Sequence, residues 1–365
     1  MIYLFQAFKG LVKVRPVSID NTVFRLHWLF TTVFLLAFSI LVTTSQYVGN
    51  PIHCMPIGGV PDDLLESFCW IHSTFSVSKA FNLPVSQEIP YPGVSNSNGV
   101  SERNYHSYYQ WVGFVLFLQA LLFYTPYYLW KIWEGRLLVT ICNIIQIVIV
   151  SDEELRKKTA DLTHYILKHR GHHKYYAFKY FLCELLCLMN VIGQFYLLDL
   201  FLDGRFFTYG FELMQFSQRD QKDVVDPMTS AFPRMTKCEF HVYGSSGDVR
   251  KHNSLCLLPQ NIVNEKIYIF MWFWFVILTT STILVLCSRL GVICVFKVRL
   301  YFLRSRFRFT EEEQLRIISQ NVDIGDWFLL YMLGQNVDQL ILRETVEELV
   351  KVLETRNKAS LPNVV

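Results

Sequence analysis

Four long apolar runs constrain the fold of this 365-residue chain more than any other feature. A helix needs about 20 largely apolar residues to cross a bilayer, and each run is close to that length. The run from Ile267 to Ser288 contains no charged residue. We therefore predict four transmembrane helices, at residues 23–45, 108–130, 180–202 and 267–290.

A fifth apolar stretch, Leu137–Val150, has 14 residues and contains Asn143 and Gln146. This length favours a buried or interfacial segment over a span. The first long run follows a 25-residue leader and lacks a clear small-residue cleavage site, which argues against a signal peptide.

The overall composition agrees with an integral membrane protein. Hydrophobic residues make up 52% of the chain and charged residues only 18%, below the usual share in soluble domains. The formal net charge is only +3, so the balance of charge does not indicate a nucleic-acid partner.

The distribution of basic residues predicts the orientation. The middle loop, 131–179, holds eight Lys and Arg before Lys179, and five more lie between Lys297 and Arg308. By contrast, loop 46–107 has two basic residues against five acids. The positive-inside rule then assigns the protein's segments to the two sides of the membrane. The predicted cytoplasmic segments are 1–22, 131–179 and the C-terminal region 291–365. The predicted outer segments are 46–107 and 203–266.

Four of the nine cysteines lie in the predicted outer loops, namely Cys54 and Cys69 in the first and Cys238 and Cys256 in the second. Two cysteines per loop in an oxidising compartment are typical of a disulfide framework. Four cysteines allow three pairings, and spacing alone does not choose among them. A zinc site is less well supported, because neither loop has a C-x-x-C spacing.

A histidine cluster is the strongest sign of enzymatic chemistry. It comprises His164, His169, His172 and His173 and resembles a histidine box. A di-iron centre of that type needs about eight histidines on one membrane face, so we interpret the cluster as a solvated basic stretch. Partial protonation near pH 6.5 would allow it to sense pH. The sequence contains no G-x-S-x-G, phosphate-binding glycine loop or H-E-x-x-H, and we predict neither an enzyme nor a bound cofactor.

Polar and helix-bending residues within the spans each have two readings. Glu184 and Asp199, in the third run, either line a water path or contact another helix, or else extend to the interface. Pro126 bends the second span, which in a channel shapes the pore and in a passive bundle only fits the packing. The segment "MIYLFQAFKGLVK" has roughly helical apolar spacing and either lies on the inner leaflet or folds into a pore mouth.

An aromatic cluster, Tyr108, Tyr109, Gln110, Trp111 and Val112, begins the second run at its predicted outer end. Tyr and Trp commonly anchor a helix at the membrane–water interface. Gln110 lies where a helix end meets a loop or another subunit, so we expect its side chain to form a hydrogen bond there.

The sequence "YYQWV" of this cluster resembles the signature of the innexins, the gap-junction proteins of invertebrates. Further segments are similar to insect innexins over roughly residues 1–345, including "QYVGNPIHC", "FCWIHSTF", "YTPYYLW", "FPRMTKCEF", "LCLLPQNIVNEKIYIFMWFWF" and "DIGDWFLLYMLGQN". Connexins differ in having three cysteines per outer loop, and pannexins are usually glycosylated, whereas this sequence has no Asn-x-Ser/Thr sequon. One departure is Asn253, where many relatives have Asp.

The resemblance implies an all-α membrane fold with four transmembrane helices, disulfide-tied outer loops containing some β structure, and a helical cytoplasmic domain. It implies the disulfides Cys54–Cys256 and Cys69–Cys238. It also implies a pore lined by the N-terminal segment, with the residues Met1, Ile2, Tyr3, Leu4 and Phe5.

The same resemblance implies a large-pore channel at plasma-membrane gap junctions. Eight subunits, or alternatively six, form a ring of one or several chain types, which docks with a ring of the adjacent cell. Such a channel passes ions and small metabolites, and an undocked ring acts as a hemichannel. The alternatives are a pannexin-like release channel, an adhesion protein without a pore and, with least support, a metalloenzyme built on the histidine cluster.

Overall fold

The computed structural model describes residues 17–81, 83, 88–96, 103–145, 152–218, 227–244 and 246–360. Among these residues, four helices are long and apolar enough to cross a membrane. We name them spans 1 to 4: Thr22–Tyr47, Val112–Glu134, Lys174–Phe201 and Pro259–Cys294. They confirm the prediction of a mainly helical protein with four membrane helices.

Span 1 begins at a side-chain cap and changes its helical pitch. The carboxamide oxygen of Asn21 accepts a hydrogen bond from the Phe24 N–H at 2.6 Å, which satisfies a donor that the first helical turn leaves open. Six residues, Leu26–Thr31, then adopt a π-helical conformation before the α-helix continues through Thr32–Val48. Such insertions are rare in helices and frequently mark functional sites.

Span 2 is preceded by a single 3₁₀ turn, Tyr108–Gln110, and its α-helix covers Val112–Glu134. Pro126 lies inside this helix. It lacks the N–H that would otherwise complete a backbone hydrogen bond four residues back.

Five strands form one antiparallel sheet in the order β1-β5-β4-β2-β3. Their bounds are β1 His53–Cys54, β2 Thr74–Val77, β3 Arg103–His106, β4 Met235–Tyr243 and β5 Val249–Leu257. Strands β4 and β5 pair along their whole length. Because β1, β2 and β3 precede span 2 while β4 and β5 follow span 3, the sheet joins two distant loops.

Shorter helices make up most of the remaining described structure. One of them, Asp62–His72, lies between spans 1 and 2. Two more lie between spans 3 and 4: Phe206–Gln218 and Pro227–Ala231. Two lie between spans 2 and 3: Leu137–Ile145 and Asp152–Lys168. Four follow span 4: Phe296–Arg306, Glu312–Asn321, Ile324–Asn336 and Gln339–Ser360.

The chain divides into two compact units, each with its own core. The first unit comprises Met1–Phe30, Phe123–Met189 and Thr279–Val365, and the second comprises Thr31–Leu122 and Asn190–Leu278. The first unit's core includes one side of helix Leu137–Ile145, so the described part of the short apolar stretch has the buried one of its two predicted placements, buried or interfacial. The helix Ile324–Asn336 is also buried there along most of its length.

Candidate functional site

Two disulfides close the sheet of the second unit. Cys54 of β1 is paired directly opposite Cys256 of β5, with their Cα atoms 4.0 Å apart, and the two sulfurs are bonded. Cys69, in the helix Asp62–His72, is bonded to Cys238 of β4. These are the pairs that the resemblance implies. We call the five strands, the helix Asp62–His72 and the two disulfides the cap.

The sulfur atoms of Cys54, Cys69 and Cys256 lie within 4.8 Å of one another. Metal ions bind cysteine as a thiolate, and each of these sulfurs is already in a disulfide. The cluster therefore serves as a covalent cross-link between the loops. Beneath it, Leu65 and Tyr109 are fully buried in a small apolar core.

A charged contact crosses the sheet from its edge. The Arg103 guanidinium of β3 lies 4.5 Å from the centre of the Phe75 ring of β2 and donates a 2.5 Å hydrogen bond to the Glu239 carboxylate of β4. This bond lowers the pKa of Glu239 and raises that of Arg103. The edge strand is thus tied to the centre of the sheet by a side chain as well as by its backbone.

Gln110 connects the start of span 2 to the cap. Its Nε2 donates to the carbonyl oxygen of Trp70 at 2.5 Å and to that of Ile71 at 3.3 Å. Both carbonyls are in the last turn of the helix Asp62–His72, where they have no partner within the helix. Gln46, in span 1, donates a further hydrogen bond to the Tyr109 carbonyl at 2.7 Å. The expected partner of Gln110 is therefore a loop element of the same chain.

Tyr109 differs from the expectation of an interface anchor. Its side chain is 0% exposed, and its ring centre lies 4.6 Å from that of Trp70. Burial raises the pKa of its hydroxyl to about 12. An aromatic pattern does not reveal which ring faces inward, and here the 3₁₀ turn directs Tyr109 into the cap's core. Trp111 is 59% exposed, as an interface anchor would be, while Tyr108 is half-buried and Val112 is buried.

In the first unit, a buried ion pair joins spans 3 and 4. Arg289 of span 4 donates three hydrogen bonds to the Glu184 carboxylate of span 3, two of 3.0 Å and one of 3.3 Å. Asn21, whose side chain accepts the hydrogen bond at the N-terminus of span 1, donates to the same carboxylate at 2.5 Å. Both charged side chains are almost fully buried. Glu184 therefore contacts another helix, which is one of the alternatives predicted for it, and does not extend to the membrane interface.

Aromatic rings surround this ion pair. The Arg289 guanidinium lies within 6 Å of four ring centres: Tyr180, Phe181, Phe328 and Tyr331. The last two belong to helix Ile324–Asn336. Ring faces attract cations, so the C-terminal helix contributes to stabilising the charge. Asp199, the other acid of span 3, instead accepts a hydrogen bond from the Phe207 N–H at 3.0 Å, near the start of the next helix.

The interpretation of the histidine cluster as solvated is wrong for His173. Its imidazole is buried, and its Nδ1 lies 2.6 Å from Oδ1 of Asp326. The Gly171 N–H donates to the other oxygen of that carboxylate at 2.7 Å. The cause is a close helix contact: a Cβ atom on Gly325 would lie only 2.4 Å from the His173 carbonyl carbon. His164 and His172 are exposed, as expected.

Two further predictions concern Pro126 and the N-terminal residues. Pro126 lies within span 2, as described above. Met1, Ile2, Tyr3, Leu4 and Phe5 lie outside the described residues.

Sequence reasoning missed Asp326 and the role of Arg289. Arg289 directly follows the charge-free run of span 4. A basic residue at that position, with an acid inside another span, signals a buried pair.

Comparison with known proteins identifies the family. The family model named Innexin matches residues 20–353. Innexin shaking-B of Drosophila melanogaster is 44% identical over 365 residues, covering 100% of this chain and 98% of that protein. Innexin inx1 of Schistocerca americana is 46% identical over 356 residues, covering 97% and 98% respectively. With its four membrane helices and disulfide-tied loops, the chain belongs to the innexin family and is a gap-junction channel subunit.

Proposed function

We propose that this chain assembles into rings in the plasma membrane and that two rings from adjacent cells dock through the cap. Each ring contains eight subunits, with six as the alternative, and consists of this chain alone or of this chain with related chains. The joined pore passes ions and small metabolites, with selection by size and lining charge. An undocked ring acts as a hemichannel.

The proposed orientation has both termini and residues 131–179 in the cytoplasm. The excess of Lys and Arg in those segments supports this choice. The cysteines give independent support, because all four that form disulfides lie in loops 46–107 and 203–266. Disulfides persist outside the cell and are rare in the cytosol. The proposed pore lining by residues 1–5 rests on the family resemblance.

The observation that carries the docking proposal is that two distant loops form a single sheet. Strands from both sides of spans 2 and 3 pair, and each disulfide joins one loop to the other. A surface that is ordered before it meets its partner loses little conformational entropy on binding. The cap therefore provides the rigid face that end-to-end docking requires.

The test is junctional coupling between paired cells that express the protein. Wild-type pairs should show junctional conductance and dye transfer. Cys54→Ser or Cys256→Ser should lose both signals, because one loop is no longer tied to the other. Cys287→Ser is the matched control, since Cys287 is an exposed free thiol and its loss should leave coupling intact.

Surface labelling of each variant measures how much protein reaches the plasma membrane. It therefore separates a failure of delivery to the cell surface from a failure of docking. Normal coupling in Cys54→Ser would contradict the proposed role of the cap. Dye uptake by single cells, without coupling of any pair, would instead assign the chain to a release channel. Particle images of the purified ring would count its subunits directly.

A further inference from the structure

A groove in the second unit contains buried polar side chains within an apolar surface. Its walls are formed by span 2 and span 3, and its volume is about 310 Å³. Most of the lining is aliphatic or aromatic, and its two polar members are Gln119 and Gln194. None of the lining residues carries a charge.

The carboxamides in this groove are not satisfied by the described part of the chain. Gln119 is 2% exposed, and neither its Nε2 nor its Oε1 has a hydrogen-bond partner there. Gln194 is 1% exposed; its Nε2 donates to Asn190 at 3.3 Å, but its Oε1 also lacks a partner. Buried polar groups in proteins are nearly always paired, and lipid offers them no water. The groove therefore points to a ligand that supplies hydrogen bonds.

The two glutamines lie at a similar depth. Gln119 is seven residues from Val112, where the helix of span 2 begins, and Gln194 is seven residues from Phe201, where span 3 ends. At 1.5 Å per residue, each is about 10 Å from its helix end. This depth is within the acyl-chain region, which a charged or water-soluble ligand does not readily enter.

The unsatisfied atoms define the polar group of the ligand. Gln119 offers an NH2 group with two N–H donors and a carbonyl acceptor, and Gln194 offers a second carbonyl acceptor. A hydroxyl fits two of these three atoms, because it can accept from the Gln119 Nε2 and donate its one hydrogen to either carboxamide oxygen. We propose that the groove binds an uncharged lipid alcohol, with its hydroxyl between Gln119 and Gln194 and its apolar body along Leu118 and Leu197. This inference requires only that the spans lie in a membrane, and is independent of docking.

Two membrane sources carry this chemistry, a sterol and a monoacylglycerol. The full-length protein, reconstituted in lipid nanodiscs, is exposed to a photoreactive alkyne-tagged probe of each type and the labelled peptides are mapped. At least one probe should label the segments 112–122 and 190–201. The same sterol or monoacylglycerol should compete for labelling, whereas an analogue lacking the hydroxyl should not.

Gln119→Leu should reduce labelling about tenfold, the effect expected from losing one or two hydrogen bonds in an apolar site. Leu197→Trp should abolish labelling by filling the groove while leaving both glutamines in place. Leu121→Ala is the control on span 2, because Leu121 does not line the groove. Each variant must elute at the same oligomeric size as the wild type before labelling is compared.

Three results would overturn the proposal. The first is the absence of labelling at this groove with both probes. The second is unchanged labelling in Gln119→Leu. The third is a cross-link between neighbouring subunits formed by Leu118→Cys, together with the loss of all probe labelling. A second copy of the chain would then occupy the groove.

Discussion

The two units of this protein hold distant segments together by different means. In the second unit, two disulfides and a shared sheet join loops that are far apart in the sequence. In the first unit, Glu184 and Arg289 form a buried pair within a cluster of aromatic rings. In the proposed orientation the disulfides lie on the oxidising side of the membrane, where such bonds persist.

The comparison shows why the two solutions are not interchangeable. A disulfide limits the freedom of the unfolded chain and does not require its partners to stay dry. A buried ion pair depends on complete pairing, since each ion loses its water and must regain that energy from its partner and from the other polar groups and rings around it. The cap, which faces water in the proposed orientation, uses the first means, and the first unit's packed core uses the second.

The largest expected effect comes from leaving one charge of the buried pair alone. Arg289→Leu should lower the free energy of unfolding by about 3–5 kcal/mol, because Glu184 would keep a buried charge without its partner. The midpoint of thermal unfolding in detergent measures this loss. The double variant Glu184→Leu, Arg289→Leu should recover much of it.

Arg304→Leu provides the matched control for that experiment. Arg304 is also paired with a glutamate, Glu312, but both side chains are more than half exposed. Surface pairs contribute about 0–1 kcal/mol, so this variant should unfold near the wild-type temperature. Equal losses in Arg289→Leu and Arg304→Leu would remove the distinction between buried and exposed pairs.

The next largest effect concerns the cap alone. Cys69→Ser with Cys238→Ser should cost about 2–5 kcal/mol, the usual range for losing a native disulfide in a small domain. Hydrogen exchange should increase in β4 and β5 and stay unchanged in helix Ile324–Asn336, which contains no cysteine. Cys287→Ser, at an exposed free thiol, is the control. Faster exchange throughout both units would show that the cap is not a separate source of stability.

A smaller effect is expected from acidification of the second unit. Burial, helped by the charge of Arg205, lowers the pKa of His106 to about 4. The folded state then favours neutral His106, while the unfolded state gains a proton below its ordinary pKa of about 6.5. Stability should therefore fall as the pH decreases from about 6.5 towards 4, by about 2 kcal/mol at pH 5.

The thermal unfolding midpoint at pH 7.5 and pH 5 measures this effect. His106→Gln removes the titrating group, so its midpoint should shift less between the two pH values than that of the wild type. His164→Gln, at an exposed histidine of the first unit, should leave the wild-type shift unchanged. An identical pH dependence in His106→Gln and the wild type would exclude His106 as its source.

The smallest effect should arise at the connection between span 2 and the cap. Gln110→Leu removes hydrogen bonds to the helix Asp62–His72 and should cost about 1 kcal/mol. We expect normal insertion but weaker assembly or docking, measured as surface abundance and junctional conductance. Trp111→Leu changes the exposed neighbour and should affect coupling less. Wild-type conductance in Gln110→Leu would refute this role.

The sequence was most informative where one local property decided the outcome. Apolar run length predicted the four spans, because a bilayer demands a minimum length of apolar helix. Cysteine number and loop location indicated a disulfide framework, but the specific pairs came from the family resemblance. Pairing depends on which strands become neighbours, and a strand such as β1, with two residues, leaves little periodic signal.

Long-range pairing of polar side chains was harder to predict. Glu184 and Arg289 are separated by 105 residues, and no local pattern states that their helices pack together. The same limit explains His173, whose partner Asp326 lies in the buried C-terminal helix. For Tyr109, the sequence indicated an aromatic cluster but not the turn that directs its ring inward.

The spacing of the disulfides has a consequence for the order of synthesis. Cys54 and Cys256 are 202 residues apart, and Cys69 and Cys238 are 169 apart, with spans 2 and 3 between the partners. At about 5–20 residues per second, Cys54 would wait roughly 10–40 s for its partner to be made. In the proposed orientation, Cys54 and Cys69 are together in an oxidising lumen during that interval, and a bond between them would have to be exchanged later. The cap is therefore completed only after three of the four spans have been synthesised, which makes its oxidation a late step in the biogenesis of the channel.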